Sequence, residues 1–363
     1  MLFYIIISVI NALWVTRWDI CEPGAPRKIV REAKAAGFNT LFVQAFARGE
    51  VPYMSSLVPR YEELRGVPTS YDPLKVLVRE ADRLGISVHL WFNVFYTWSQ
   101  APFPPSPRHL VYTHRDWFVA DKHLRSILLY PVHELESKNL SGYFISPACE
   151  DAVLFLRSVL GELLRRYPSV KGVHLDYIRY LTGAFGMELP MRTRFYRRYY
   201  VDPGVREDIW SDEEWAGIMK LWREERIRVV SEVVKGFREE IELVNPKLVL
   251  SCAVFPNVEY ARKEYGQDWA TWVDSGWVDF VVPMVYSPST GYVVSTVSKI
   301  GKLVPLSKVV VGLGGYKQSP SQVGEKVKRI RNMGVRGIAV FSYGGVKDRG
   351  DNLLEYKEWL SYP

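Results

Sequence analysis

"YDPLKVLVREADRLGISVHLWFN" (residues 71–93) predicts a helix followed by a buried strand. Asp72 followed by Pro73 is typical of a helix start, and Gly85 is typical of a helix end. The run 86–93 after that glycine is almost continuously apolar, which favours a strand buried on both faces of a parallel sheet. The stretch therefore predicts one helix-and-strand unit of an α/β protein.

The same alternation runs along the whole chain. The predicted strands are 12–18, 39–46, 86–93, 172–178, 247–255, 278–286, 308–315 and 335–343, and the predicted helices are 26–37, 71–85, 146–167, 212–243, 268–276, 292–301, 319–334 and 352–360. Eight such pairs predict a single (β/α)8 TIM barrel over residues 1–363. Long βα-loop insertions follow strands 3 and 4, at about 94–145 and 179–211. A doubly wound open sheet is the alternative, but the eightfold count favours closure.

The first ten residues leave the localisation open. "MLFYIIISVI" (1–10) is apolar but too short to span a bilayer, and it lacks the positively charged region that begins a signal peptide. We interpret residues 1–10 either as a signal-peptide remnant or as the lead-in to strand 1. A secreted or cell-envelope location is favoured over a cytoplasmic one, and no stable membrane insertion is expected.

Charge and composition narrow the class of partner. The net charge of +7 favours attraction to anionic partners. However, the densest basic group, "MRTRFYRRYY" (191–200), lies near the acidic "DEEW" (212–215), and no groove-reading motif accompanies it, so nucleic-acid binding is not expected. The 12 Trp and 22 Tyr residues either line a sugar site or fill the core. The sequence does not define the oligomeric state.

Cysteine and histidine spacing gives no sign of a metal or disulfide site. Cys21, Cys149 and Cys252 show no paired spacing, and the six histidines form neither HxxxH nor HExxH. No Gly-rich phosphate loop follows the first strand. We therefore expect no cofactor.

The strand ends supply the candidate site residues, because barrel enzymes carry their sites at the C-terminal ends of the strands. The candidates share carboxylate, guanidinium, imidazole, amide or aromatic chemistry: Trp18, Asp19, Arg48, Glu50, His89, Trp91, Asn93, His174, Asp176, Tyr177, Arg179, Glu259, Tyr286 and Tyr343. Asp176 stands out, because it is a carboxylate within the apolar and aromatic run "KGVHLDYIRY" (171–180). It is either a reacting group or a structural partner of Arg179 or Arg48. For His89 and His174, a place in the barrel interior is favoured over contact with a ligand, although both stay on the list of candidates.

Several stretches in this order resemble the glycosyl-hydrolase-like family ten, a YngK-type TIM-barrel family. They are "GFNTLFVQAFARGEVPYMSS" (37–56), the opening stretch 71–93, "GVHLDYIRY" (172–180), "YGQDWATWVDSGWVDFVVPMVY" (265–286) and "GIAVFSYGG" (337–345). The resemblance implies a (β/α)8 barrel that hydrolyses glycosidic bonds of a polysaccharide or cell-envelope glycan. "GVHLDY" is also similar to the fourth-strand segment of α-amylase-type barrels, which implies that Asp176 is the nucleophile.

The resemblance does not supply the acid partner. Many members have a second Asp where this chain has Tyr177, and the amylase-type Arg two residues before the Asp is His174 here. No Glu ends the fifth predicted strand, and Ile178 stands where chitinase-type barrels have Glu.

The preferred hypothesis is a glycoside hydrolase that acts on a carbohydrate substrate. Such an enzyme needs one carboxylate and one protonated carboxyl. Asp176 is expected to be the nucleophile or base, and the proton donor is expected among Glu259, Glu50 and Asp19. Arg48 would keep a nearby carboxylate ionised. The remaining candidates are expected to bind substrate: Trp18, Trp91, Tyr286 and Tyr343 by stacking on sugar rings, and His89, Asn93, His174, Tyr177 and Arg179 by polar or edge contacts.

Two other hypotheses stay open. One is a glycan-binding barrel without catalysis, which the missing second Asp and the missing strand-five Glu both favour. The other is a metal-dependent hydrolase that uses Asp19, His89 and Asp176. A second carboxyl close to Asp176 in a cleft would support the hydrolase over the binding protein.

Overall fold

The computed structural model describes residues 9–205 and 209–361. Residues 1–8, which carry most of the stretch interpreted as a signal-peptide remnant or a lead-in, lie outside the described residues. The first strand begins at Ile10, so the last residue of that stretch belongs to the barrel.

The sheet confirms the predicted α/β barrel. The strands are β1 (Ile10–Val15), β2 (Thr40–Phe46), β3 (Ser87–Asn93), β4 (Tyr96–Trp98), β5 (Tyr143–Phe144), β6 (Gly172–Asp176), β7 (Val249–Val254), β8 (Phe280–Pro283), β9 (Val310–Gly314) and β10 (Gly337–Phe341). Eight of them pair in parallel in the order β8-β7-β6-β3-β2-β1-β10-β9. Isolated bridges between Val281 and Val309 and between Met284 and Gly312 join β8 to β9, which brings the two edges of the sheet together.

Helices surround this sheet. They are α1 (Arg17–Cys21), α2 (Ala25–Ala35), α3 (Pro73–Arg83), α4 (Leu110–Thr113), α5 (Val132–Ser137), α6 (Glu150–Arg166), α7 (Leu189–Tyr199), α8 (Asp212–Val244), α9 (Val258–Tyr265), α10 (Trp269–Asp274), α11 (Thr290–Ile300), α12 (Pro320–Arg331), α13 (Tyr343–Asp348) and α14 (Lys357–Leu360). Short 3-10 turns occupy Glu62–Leu64, Arg115–Trp117, Ile127–Leu129, Leu306–Lys308 and Leu353–Tyr356. Among the described helices, none combines the length and the apolar character needed to cross a bilayer.

Helix α3 illustrates how local sequence produces these elements. The Asp72 carboxylate accepts the Lys75 backbone N–H at 2.9 Å, as its predicted capping position requires. Leu74, Leu77 and Ala81 follow the helical repeat and are fully buried. Burying a leucine side chain of this kind stabilises the fold by about 1.5–3 kcal/mol.

Two segments lie between a barrel strand and the helix that covers it. Residues 94–149 separate β3 from α6 and contain the antiparallel pair β4–β5 as well as α4 and α5. Residues 177–211 separate β6 from α8 and contain α7. Both begin at the C-terminal ends of barrel strands, so they border the expected site.

Several strands end earlier than predicted, and in β1 and β10 the earlier end moves candidate residues into a helix. β1 ends at Val15 rather than at residue 18, because Thr16 donates its backbone N–H (2.7 Å) and its hydroxyl (2.8 Å) to the Asp19 carboxylate and so starts α1. β10 ends at Phe341, and Tyr343 begins α13. Asp19 and Tyr343 are therefore helix residues rather than strand-end residues.

The two candidate histidines lie inside the barrel, which corrects their predicted contact with substrate. The ring of His174 stacks on Phe42 with centroids 4.1 Å apart, accepts the Trp14 indole N–H at 3.2 Å and bonds Ser251 at 2.9 Å. His89 packs against Phe42 from a neighbouring strand. Burial lowers the pKa of His89 to about 4 and that of His174 well below its usual value, so both rings are neutral packing groups.

Candidate functional site

A cavity of about 400 Å³ opens at the C-terminal ends of the barrel strands. Its aromatic lining residues are Trp14, Trp18, Trp91, Tyr96, Tyr177, Phe255, Tyr286 and Phe341, and its polar ones are Thr16, Arg17, Gln44, Asn93, Asp176 and Arg179. Ala253 and Met284 complete the lining. This position is where the barrel architecture places active sites. Seven of the fourteen candidates therefore line the cavity. They are Asp176 and six others: Trp18, Trp91, Asn93, Tyr177, Arg179 and Tyr286.

Asp176 is the last residue of β6, and it is half-buried at the edge of the cavity. The Trp91 indole N–H donates to Asp176 Oδ2 at 3.1 Å. Tyr177, whose backbone has a left-handed φ of 51°, donates its own N–H to Asp176 Oδ1 at 2.7 Å. Each carboxylate oxygen therefore has one fixed donor, which holds the plane of the carboxylate in one orientation.

The environment of Asp176 acts on its charge in two directions. Burial raises the pKa of Asp176 to about 6, and the Tyr177 N–H, the Arg179 cation and the Trp91 N–H oppose that rise. The carboxyl can therefore lose or hold a proton near neutral pH, as acid–base chemistry requires.

Aromatic rings form the walls around this carboxylate. Tyr286 stacks on Phe341 with centroids 5.5 Å apart, and Tyr96 stacks on Tyr177 at 4.8 Å. Trp18 lies at the mouth with 55% of its surface exposed. Flat apolar walls with a few polar groups suit a ring-shaped ligand that carries hydroxyls.

Two polar residues flank Asp176. Asn93 pairs with Asp176 in the register of β3 and β6, and its buried Oδ1 has no partner within the described residues. Arg179, which also lines the cavity, donates to the carbonyls of Tyr180 (3.0 Å) and Leu181 (3.1 Å), and these bonds anchor its guanidinium. Asn93 is thus the flanking group with free hydrogen-bonding capacity.

None of the three predicted proton donors lines this cavity. Glu259 is exposed on α9 beside a separate surface cavity of about 270 Å³. Asp19 accepts the capping hydrogen bond from the Thr16 backbone N–H at the start of α1. Burial is the main cause of its raised pKa. Glu50 is buried in a tight turn closed by hydrogen bonds with Ala47. Among the described lining residues, Asp176 is the one carboxyl.

Arg48 also lies away from Asp176, contrary to the sequence interpretation. It donates to Glu63 at 2.8 Å and to Gln100 at 2.5 Å, and it lies 3.6 Å from the Glu50 carboxylate. Burial raises the pKa of Glu50 to about 8. The turn at 47–50 thus directs both side chains into a closed charge cluster.

Tyr343 is also absent from the lining. It begins α13 and its hydroxyl donates to Glu32 at 3.0 Å. In the segments 9–205 and 209–361, no three His, Cys, Asp or Glu side chains are grouped closely enough to hold a metal ion. Asp19, His89 and Asp176 are therefore not gathered into the ligand set of the metal-dependent hypothesis.

Sequence reasoning missed several lining residues. Gln44 is a polar residue inside the apolar run "LFVQAF", so it carries the same kind of signal that singled out Asp176. Arg17 falls within the predicted first strand, although it follows the true end of β1. Tyr96 and Phe255 each lie just after a barrel strand and carried no polar signal.

Comparison with known proteins identifies the family. The profile of glycosyl hydrolase-like 10 matches residues 9–312. The chain belongs to the glycosyl hydrolase-like 10 family. This family member is 26% identical over 284 residues to the glycosyl hydrolase DigH of Escherichia coli K12, an alignment that covers 69% of the chain and 55% of DigH. The chain thus spans about half the length of the curated relatives it matches.

Solved structures agree on the fold of this glycosyl hydrolase-like 10 protein. The β-galactosidase from Bacillus circulans sp. alkalophilus superposes with a TM-score of 0.64 at 12% identity, covering 92% of this chain and 50% of that one. The endo-β-1,4-mannanase from Thermotoga petrophila superposes with a TM-score of 0.58 at 11% identity, covering 97% and 76%. At such identities, the likeness establishes the barrel alone.

Proposed function

We propose that this protein hydrolyses glycosidic bonds of a poly- or oligosaccharide. In this proposal, Asp176 is the reacting carboxylate and acts as nucleophile or base. The observation that carries the proposal is a half-buried carboxylate held by two N–H donors at the mouth of an aromatic-walled cavity. Membership of a glycosyl hydrolase-like family supports the same reaction class.

The contacts of Asp176 suit an ionised reactant. The Trp91 and Tyr177 N–H groups stabilise the charged form and aim its oxygens, so that the carboxylate can attack or stabilise an oxocarbenium-like carbon, or activate a water. In this proposal, Trp91 and Tyr286 pack on the sugar, and Asn93 bonds one of its hydroxyls. The rate of the reaction then rises with pH through about 6, because Asp176 must be ionised.

The test is hydrolysis of a panel of purified glycans by the wild-type protein and by Asp176→Asn. We expect reducing ends to be released from at least one glycan by the wild type, and a loss of about 10³-fold in rate in the variant. Full activity in Asp176→Asn would contradict the assignment of the carboxylate.

A second candidate function is glycan binding without hydrolysis. The observation that favours it is the single carboxyl among the described lining residues, since glycosidases usually use two. The same panel separates the two candidates. A glycan that binds to the wild type with saturation and stays intact would support the binding protein, whereas a cleaved glycan would support the hydrolase.

A further inference from the structure

Arg17 is a buried cation among the residues that line the cavity. Its side chain lines the cavity although only 2% of the residue is exposed. Its Nε donates to Glu63 Oε1 at 2.9 Å, and its backbone N–H donates to Gln44 at 3.0 Å. Within residues 9–205 and 209–361, its Nη1 and Nη2 have no protein acceptor. The guanidinium is thus fixed at one nitrogen and free at two.

The charges behind Arg17 leave it incompletely neutralised. Arg17 and Arg48 both donate to the same oxygen of Glu63, at 2.9 and 2.8 Å. Glu50, the other carboxyl of the cluster, lies 3.6 Å from Arg48, and its burial favours the neutral form. Near neutral pH the cluster therefore holds two cations against one anion. A buried charge of this kind is stabilised by any anion that reaches it.

The surroundings of Arg17 also define how an anion would approach. The Trp18 ring lies 3.7 Å from the guanidinium carbon, which covers one face and leaves the in-plane N–H groups available. The paired donors of a guanidinium fit the two oxygens of a carboxylate. Asp176 would repel an anion beside it, but β2 and β3 separate β6 from β1 in the barrel order, so the two charges project from strands on different sides of the barrel.

We propose that Arg17 forms a subsite for a carboxylate carried by the bound sugar, so that the protein prefers an acidic glycan to its neutral counterpart. The proposal rests on the proposed function in taking the ligand to be a glycan. It adds the chemical class of that glycan and assigns its recognition to Arg17, with Trp18 as the surface on which the sugar lies.

The test compares a glucuronic-acid-containing disaccharide with the same disaccharide after reduction of its carboxyl. Binding is measured by calorimetry on the wild type and on Asp176→Asn, in which hydrolysis does not consume the probe. We expect the acid to bind about ten-fold more tightly than the reduced sugar, as one charge-assisted pair allows. Acetate serves as a third probe, and it should bind far more weakly than the acidic disaccharide if the subsite recognises a sugar-borne carboxylate.

Variants of Arg17 assign the preference to this residue. Arg17→Met should reduce the ten-fold difference to about one-fold, and Arg17→Lys should keep part of it, because the charge remains without the forked geometry. Arg31→Met is the matched control, since the Arg31 side chain is 63% exposed and pairs with Glu80 outside the cavity. The wild-type comparison of the two disaccharides stands even if Arg17→Met does not fold.

Equal affinity of the wild type for the acid and the reduced sugar would overturn the proposal, as would failure of both to bind. A preference that persists in folded Arg17→Met would overturn its assignment to Arg17. The outcome is separable from that of the proposed function. Selective binding of the acid without cleavage of any glycan would support this subsite and reject the hydrolase. Cleavage of acidic and neutral glycans alike would support the hydrolase and reject this subsite.

Discussion

Asp176 and Glu50 are two carboxyls near the same end of the barrel, and burial raises the pKa of both, to about 6 and about 8. Asp176 has a donor on each oxygen and lines an open cavity. Glu50 is 1% exposed, its Oε2 accepts no hydrogen bond, and it faces Arg48 in a closed cluster. A raised pKa therefore reports burial, whereas access to a cavity makes a carboxyl available for chemistry.

The two carboxyls differ because their backbones leave the sheet differently. Asp176 ends β6, and the left-handed Tyr177 directly after it supplies an N–H donor to the carboxylate. Glu50 follows β2 by a turn in which Ala47 and Glu50 exchange backbone hydrogen bonds. That turn directs Glu50 towards Arg48 and away from the cavity.

The largest expected effect is on the rate of hydrolysis, and it should distinguish Asp176 from Glu50. Asp176→Asn is expected to lower the hydrolysis rate by about 10³-fold, because the reacting carboxylate is lost. Glu50→Gln, the matched control, is expected to change that rate by less than about three-fold, because Gln keeps the shape of the neutral acid. The measurement is the initial rate on a cleaved glycan. A larger loss in Glu50→Gln than in Asp176→Asn would reverse the comparison.

The second largest expected effect is on the stability of the fold, and it should also distinguish Glu50 from Asp176. Glu50 has a folded-state pKa of about 8 against an ordinary value of 4.5, so its contribution to stability is full below about pH 4.5 and falls as the pH rises to about 8. Glu50→Gln removes this titration. The variant is therefore expected to gain about 3–4 kcal/mol in the free energy of unfolding, relative to the wild type, between pH 5 and pH 8.

Urea unfolding of both proteins across this pH range measures the gain. Glu259→Gln is the matched control, since that carboxyl is exposed on α9 and its replacement should leave the free energy of unfolding nearly unchanged. Parallel pH profiles for Glu50→Gln and the wild type would show that Glu50 is ionised in the fold.

The smallest effect concerns the donors to Asp176. Trp91→Phe keeps a ring in the wall but removes the indole N–H that bonds Oδ2. Because this N–H favours the ionised carboxylate, its loss should raise the pKa of Asp176 further above 6, by about 0.5–1 unit. The acidic limb of the kcat/KM profile should move to higher pH by that amount.

Trp18→Phe is the control for this shift, because Trp18 lines the cavity without a hydrogen bond to Asp176. It should change KM and leave the acidic limb in place. If the acidic limb of the kcat/KM profile stays in place in Trp91→Phe, the observed pH dependence does not arise from Asp176.

Much of the fold was predictable because its signals are local. The Asp72 cap, the apolar repeat of α3 and the run 86–93 each depend on residues within a few positions of one another, and the structure contains all three. The predicted first strand is three residues too long. The start of α1, which the Thr16–Asp19 interaction caps, directly follows the apolar run and looks like its end in the sequence.

The site was predictable only in part. Trp91, Asn93, Asp176 and Tyr177 were selected by their positions at strand ends, and the cavity contains all four. Arg48 and Glu50 had the same kind of position, yet the turn after β2 carries them elsewhere. Position along a strand therefore predicts the end of the barrel on which a residue lies, but not whether the residue reaches the cavity.

The sequence by itself determined the eight strand–helix units and the presence of a carboxylate at the end of the fourth, because periodicity, capping and burial patterns act between near neighbours. Tertiary structure alone decided that Arg17, Asn93 and Asp176 share one cavity, that Glu259 lies outside it and that one oxygen of Glu63 accepts hydrogen bonds from two arginines. These residues are far apart in the chain, and only closure of the barrel sets the distances between their charges.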